Sequence, residues 1–117
     1  MSKKWALNRR AQYNAIYESG ITKLDKFVVI RALANNLEIT RFGYSISKRI
    51  GNAVTRNRIR RLFREIARSL PIKQGVDIIF IARTEAANAD YHQLKKSISR
   101  LLSQAELLVK FNEAVIT

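Results

Sequence analysis

The chain has 117 residues, 47% of them hydrophobic, which suits a single domain spanning 1–117 with a core of its own. It has no cysteine and one histidine, His92, which excludes disulfide frameworks, thiolate zinc sites, iron–sulfur clusters, cysteine nucleophiles and an all-histidine metal cage. Lys and Arg total 22 against nine Asp and Glu, leaving +13, and a field of that size speaks to a polyanionic partner rather than to fold.

The basic start, Met1-Ser2-Lys3-Lys4-Trp5, is not followed by the apolar stretch of a secretory signal. No apolar run approaches the roughly 20 residues of a membrane span. A cytoplasmic protein with no membrane partner is expected. A first helix is predicted over Arg9–Ser19, with Asn8 as N-cap and Gly20 as the glycine just past its end. Tyr13, Ile16 and Tyr17 recur at helical spacing. Lys26–Ala34, rich in β-branched and aromatic residues, reads as a strand, and Ile21–Lys26 as a loop before it. Asn35-Asn36 signals a turn. Ile39–Ser47 alternates, with Thr40, Phe42, Tyr44 and Ile46 on one face and Arg41, Gly43, Ser45 and Ser47 on the other. The two strands read as an antiparallel hairpin.

Gly51-Asn52 precedes a helix over Val54–Ser69 that Pro71 must end. Val76–Ala82 is a nearly unbroken apolar run suited to a central strand. A last helix is expected over Asp90–Val109, with an apolar stripe of Tyr91, Leu94, Ile98, Leu101, Leu102, Ala105 and Leu108. Helix, two strands, helix, strand, helix suggests a two-layer α/β sandwich with helices packed on one small sheet.

The charge is concentrated. Eight basic residues from Lys48 to Arg68, with Glu65 the one acid among them, give 21 residues +7 of the chain's +13. At roughly 100° per residue, Arg56, Asn57, Arg60, Arg61, Arg64 and Arg68 fall within an arc of about 140°, while Ile59, Leu62, Phe63, Ile66 and Leu70 gather on the opposite side. Arg58 lies off that stripe. A solvated basic face is the competing interpretation, but Arg56, Arg60, Arg64 and Arg68 follow one another at i, i+4, each pair costing a few tenths of a kcal/mol. A sequence selected for stability alone would intersperse acids. Arginine forks also bind phosphate oxygens bidentately and stack on bases. The face therefore points to nucleic acid. No second short helix precedes it as a helix-turn-helix would require. Tyr13 and Tyr17, with Arg9 a turn earlier, could stack on unpaired RNA bases or simply pack in the core.

No protein-borne hydrolytic machinery is legible. His92 stands alone, and the carboxylates Glu18, Asp25, Glu38, Glu65, Asp77, Glu85, Asp90, Glu106 and Glu113 show no Asp-x-Asp or Glu-x-x-His spacing. Asp77, inside an apolar strand, is a candidate buried partner for an arginine.

The run Ser45-Ile46-Ser47-Lys48-Arg49-Ile50-Gly51-Asn52-Ala53-Val54-Thr55-Arg56-Asn57-Arg58-Ile59-Arg60-Arg61 closely resembles the signature of the bacterial ribonuclease P protein family. The order of the other elements resembles that family along nearly the whole chain. The resemblance implies an α+β fold around a mostly antiparallel sheet with about three helices. It also implies a left-handed β-α-β crossover, an exception to the usual hand. It implies a protein subunit, a monomer per RNA, that binds a catalytic ribonuclease P RNA and the 5′ leader of precursor tRNA. Catalysis of leader removal falls to the RNA, with Mg2+ bound mainly there. By matched position, Lys48, Arg49, Arg56, Asn57, Arg58, Arg60, Arg61, Arg64 and Arg68 become the RNA-binding set. Arg9, Tyr13, Tyr17, Phe27, Ser45 and Ser47 become the leader cleft. Ile30 stands where some members have a cleft tyrosine, and the loop 21–26 is a residue shorter than in some members. A structural RNA-binding protein of the ribosome and a DNA-binding regulator are the rival interpretations.

Overall fold

The computed structural model describes residues 4–110, so Glu113 and the first three residues of the basic N-terminus lie outside it. Helix α1 spans Arg10–Ser19. Its N-cap is Arg9 rather than Asn8, because the Gln12 side chain folds back to accept from the backbone N–H of both Asn8 and Arg9, at 2.9 and 3.0 Å. Gly20 follows, but with extended backbone at φ −77° rather than a left-handed cap. Glycine is needed there for space, since a Cβ would sit 2.8 Å from the carbonyl oxygen of Ala32.

The segment expected as a loop is largely a strand. β1 (Ile21–Leu24) pairs antiparallel with β2 (Val28–Ala34), from Ile21 opposite Ala32 to Leu24 opposite Val29. Four residues on a sheet edge, mostly exposed, leave too short an alternation to read. Asp25 closes the turn by accepting from the N–H of Phe27 (2.9 Å) and Val28 (3.1 Å).

The hairpin expected between β2 and β3 (Arg41–Ser45) does not form. The sheet order is β1-β2-β4-β3, with β4 (Val76–Ala82) antiparallel to β2 and parallel to β3. The connection from Asn35 is held to the residues that enter β4 rather than folded back on β2. Asn35 N–H donates to Gly75 O (2.9 Å), the Thr40 hydroxyl to Lys73 O (2.5 Å), and Val76 N–H to the Thr40 hydroxyl (3.2 Å). Parallel register then sets Arg41 opposite Asp77, and the two form a bidentate pair at 2.7 Å for each arm, with Asp77 5% exposed. Asn35 adds a third bond to the same carboxylate at 2.9 Å. The expected role of Asp77 as a buried arginine partner is thus met.

Helix α2 (Ala53–Ser69) joins β3 to β4 and is capped by Asn52, whose side chain accepts from Thr55 N–H at 2.9 Å. Helix α3 (Tyr91–Gln104) opens on a reciprocal Asp90/Gln93 cap. It ends five residues before Val109, where Glu106 turns left-handed at φ 60°. Leu108 then bridges back to Ile72, which explains why the apolar stripe outruns the helix.

The larger core lies between the sheet and α2 and α3. Val28, Ile30, Ile78 and Phe80 meet Ile59, Phe63, Ile66, Leu94, Ile98, Leu101 and Leu102 there. Phe80 receives Phe63 and Tyr44 edge-on at 5.7 Å and Phe42 at 6.0 Å. To the expected sandwich α1 adds cover on the other face, where Leu7, Ile16 and Ile79 form a smaller core with Tyr13, Leu33 and Ile81. Among the described residues no helix is long and apolar enough to cross a membrane.

A candidate RNA-binding surface

α2 presents its two faces as the periodicity requires. Ile59, Leu62, Phe63, Ile66 and Ala67 are buried, while Arg61, Arg64 and Arg68 are exposed. Lys48, Arg49 and Ser47 are exposed at its N-terminal approach, where buried Ile50 anchors a short 3-10 turn over Lys48–Ile50. Among the described residues, the one ion pair on this stretch is Arg61–Glu65 at 3.9 Å, with both partners half or more exposed. Such a pair contributes ~0–1 kcal/mol. The face is therefore not neutralised from within.

Two members of the expected set are engaged locally. Arg58 donates to the carbonyls of Ala87 (2.7 Å) and Ala89 (3.2 Å), tying α2 to the 3-10 segment Thr84–Asn88 and the residue after it. Its place off the arginine stripe explains this, because it flanks the core on the side of that segment. Arg60 donates to the Asn57 side chain at 3.0 Å, on the surface. Asn57, Arg58, Arg61 and Arg64 line a shallow concavity with Val54, which is 77% exposed.

A deeper cavity of about 650 Å³ wraps the outer edge of β3. It is lined by Trp5, Ala6, Leu7, Tyr13, Phe42, Gly43, Tyr44, Arg64, Ala67 and Arg68, with no carboxylate among them. Residues 5–7 run parallel to β3, with Phe42 N–H donating to Trp5 O (2.6 Å) and Leu7 N–H to Phe42 O (2.9 Å). Gly43 makes room for the Tyr13 ring, since a Cβ would fall 2.5 Å from its hydroxyl and push the ring aside. Burial raises the Tyr13 phenol above its usual value, with nearby Tyr17 adding to it. Burial also raises Tyr44, to about 12, against the opposing pull of Arg64 and Arg68. Both phenols are neutral in any neutral medium, so the cavity carries aromatic surface and positive charge only.

The structure brings Tyr13, Arg64 and Arg68 together and disperses the rest of the expected cleft. Tyr17, 43% exposed, lies one turn further along α1 over β2. Arg31 holds it there, donating to Tyr17 O at 2.6 Å with its guanidinium 5.2 Å from the ring. Arg9 is exposed at the start of α1, and Ser45 is half-buried at the end of β3. Phe27 is a correction, because it packs against the core on the α2/α3 side of the sheet. Ile30 is 1% exposed in that same core, on the other face of the sheet from Tyr13. Sequence reasoning missed Trp5, Arg31 and Gly43. Alternation from Val28 could have assigned Arg31 to the α1 face, but nothing local marks Trp5 as lying beside β3. Among the described residues no three of His, Cys, Asp and Glu converge as a metal site.

Residues 1–106 match the family model described as Ribonuclease P. The ribonuclease P protein component of Dehalococcoides mccartyi is 41% identical over 107 residues, covering 92% of this chain and 89% of that protein. That of Caldanaerobacter subterraneus is 41% identical over 103 residues, covering 86% and 89%. Among solved structures, the Staphylococcus aureus RNase P protein superposes with a TM-score of 0.82 at 31% identity, covering 92% of this chain and all of that one. The Thermotoga maritima protein superposes at 0.78 and 25% identity, covering 85% and 96%.

Proposed function

The chain belongs to the ribonuclease P protein family, the protein subunits of a ribonucleoprotein endoribonuclease of tRNA processing, and on that premise we propose that it works at two surfaces. The exposed side of α2 and its N-terminal approach, with Lys48, Arg49, Arg60 and Arg61, lies against the phosphates of the ribonuclease P RNA, and Arg64 and Arg68 stand where that face meets the cavity. The cavity at the β3 edge takes the single-stranded 5′ leader of precursor tRNA. The observation that carries the second assignment is the convergence of Tyr13, Arg64 and Arg68 on one cavity whose lining has no acid.

In this reading the chemistry of cleavage belongs to the RNA, and so does Mg2+, for which the described side chains offer no converging ligands. When bound on the RNA, Mg2+ would supply charge neutralisation and an activated water there. The protein's own residues bind and orient. Arginines offset repulsion between two polyanions, and counterions released from the phosphates drive association. Tyr13 stacks on an unpaired base, worth about 1–3 kcal/mol. A site that grips the leader distinguishes substrate from product, which has lost it. One protein per RNA, in the cytoplasm where tRNA precursors are processed, completes the proposal.

Reconstitution tests it. Added to a bacterial ribonuclease P RNA at low magnesium, the protein restores precursor cleavage. Tyr13→Ala then weakens precursor tRNA by about tenfold and leaves mature tRNA unchanged. Equal losses on the two would remove the leader from this cavity.

A further inference from the structure

We propose that Trp5 is a further stacking platform for the leader, holding an unpaired base at the outer edge of β3 while Arg64 and Arg68 take an adjoining phosphate. The inference rests on the leader reading above and extends it to a residue outside the 45–61 signature. Trp5 is 58% exposed, a large apolar surface to leave in water. Its backbone is nevertheless fixed, because its carbonyl accepts from Phe42 N–H and the strand-like pairing continues through Leu7. The indole therefore stands at a defined place on the wall that Tyr13, Tyr44, Arg64 and Arg68 share.

The occupant follows from the lining. An apolar peptide would cover the rings but strip water from two arginines without pairing them. An acidic peptide would pair the arginines but offer little to the aromatic surface. A nucleotide of single-stranded RNA supplies a flat base and a phosphate a few ångströms apart, and an indole is a large π-face for the base. The aromatics also have an order on the fold. Trp5 lies beyond the β3 edge, Tyr13 lies over Gly43 of β3, and Tyr17 lies by Arg31 of β2, with β4 between those two strands. Trp5 and Tyr17 are thus at opposite ends of the run and meet different leader nucleotides.

Trp5 is the only tryptophan in the chain, so its emission reports this position alone. The protein assembled with ribonuclease P RNA is titrated with non-cleavable precursor tRNAs whose leaders lengthen from none to about ten nucleotides. Emission is expected to quench at one leader length and beyond. Trp5→Ala is expected to lose about tenfold in affinity from that same length onward and nothing on the leaderless tRNA, with Trp5→Phe recovering most of the loss. Quenching absent at every length, or a loss shared by the leaderless tRNA, overturns the assignment. If Tyr13→Ala still discriminates leaders in that case, the cavity reading stands and only Trp5 is removed. If the unsubstituted complex binds leaderless and long-leader tRNA equally, the cavity reading falls and takes this one with it.

Discussion

Arg41 and Arg58 on one side, and Arg60, Arg64 and Arg68 on the other, are the same residue type put to opposite uses. Arg41 gives both arms to Asp77, and Arg58 gives both to backbone carbonyls. Arg64 and Arg68 stand on an exposed helix face with no carboxylate partner among the described residues, and Arg60 reaches only the neutral Asn57. The charge count of the chain is blind to this difference. What separates the groups is where strand register and helix phase deliver each guanidinium. Register puts Arg41 across from an acid, phase puts Arg58 beside the carbonyls of Ala87 and Ala89, and Arg64 and Arg68 face water with half-buried Arg60 beside them. On the reading proposed above, a surface for RNA is marked by arginines the fold leaves without acidic partners.

The widest gap between the two groups should appear in Arg41→Met. It strands a buried carboxylate that retains only Asn35, and should cost about 3 kcal/mol in urea unfolding. RNA affinity of the folded fraction should not change. Arg60→Ala with Arg64→Ala should do the reverse. Stability stays within about 0.5 kcal/mol, as for other exposed positions. RNA affinity falls, and the slope of log K against log salt flattens by about one to two units. An unchanged slope would take these arginines off the phosphates. Arg58→Met sharpens the boundary, because Arg58 sits within the signature yet is engaged by carbonyls. It should cost about 1–2 kcal/mol of stability and leave the salt slope alone. A flattened slope with intact stability would move Arg58 to the RNA-facing group.

The sequence carried the helices and β4 well because each has a strong local signal. α2 has a cap, an amphipathic period and a terminating Pro71, and Val76–Ala82 was read to the residue. Pairing was not legible. Whether β3 folds back on β2 or crosses by α2 to lie beside β4 depends on contacts such as Thr40 with Lys73 and Arg41 with Asp77, which are more than thirty residues apart. The arginine face was legible because it is periodic within one helix. The cavity was only half legible, since it joins α1, α2, the β3 edge and the strap at Trp5 through tertiary contact. Phe27 shows the cost of carrying a role over by matched position, because its ring packs on the opposite face of the sheet from Tyr13.

Arg100 tests the comparison at its smallest scale. It pairs with Asp25 at 2.8 Å but is itself 54% exposed, so Arg100→Ala should change stability by less than about 0.5 kcal/mol. Asp25 has more at stake than that one pair. Burial pushes its carboxyl up, but the Ser97 hydroxyl, the N–H groups of Phe27 and Val28, and Arg100 together outweigh burial and hold it below the ordinary carboxylate value. A carboxyl depressed in the folded state adds stability that is present above its unfolded value, roughly pH 3.9, and lost as pH falls through the folded one. Asp25→Asn cannot ionise and should lack that contribution. The stability gap between the two proteins should therefore be constant from pH 7 down to about 5 and close below about 4. A gap that persisted at the acid end would mean that the turn is held by the geometry of its hydrogen bonds and not by the charge, and that Arg100, too, belongs with the arginines the fold leaves without a real partner.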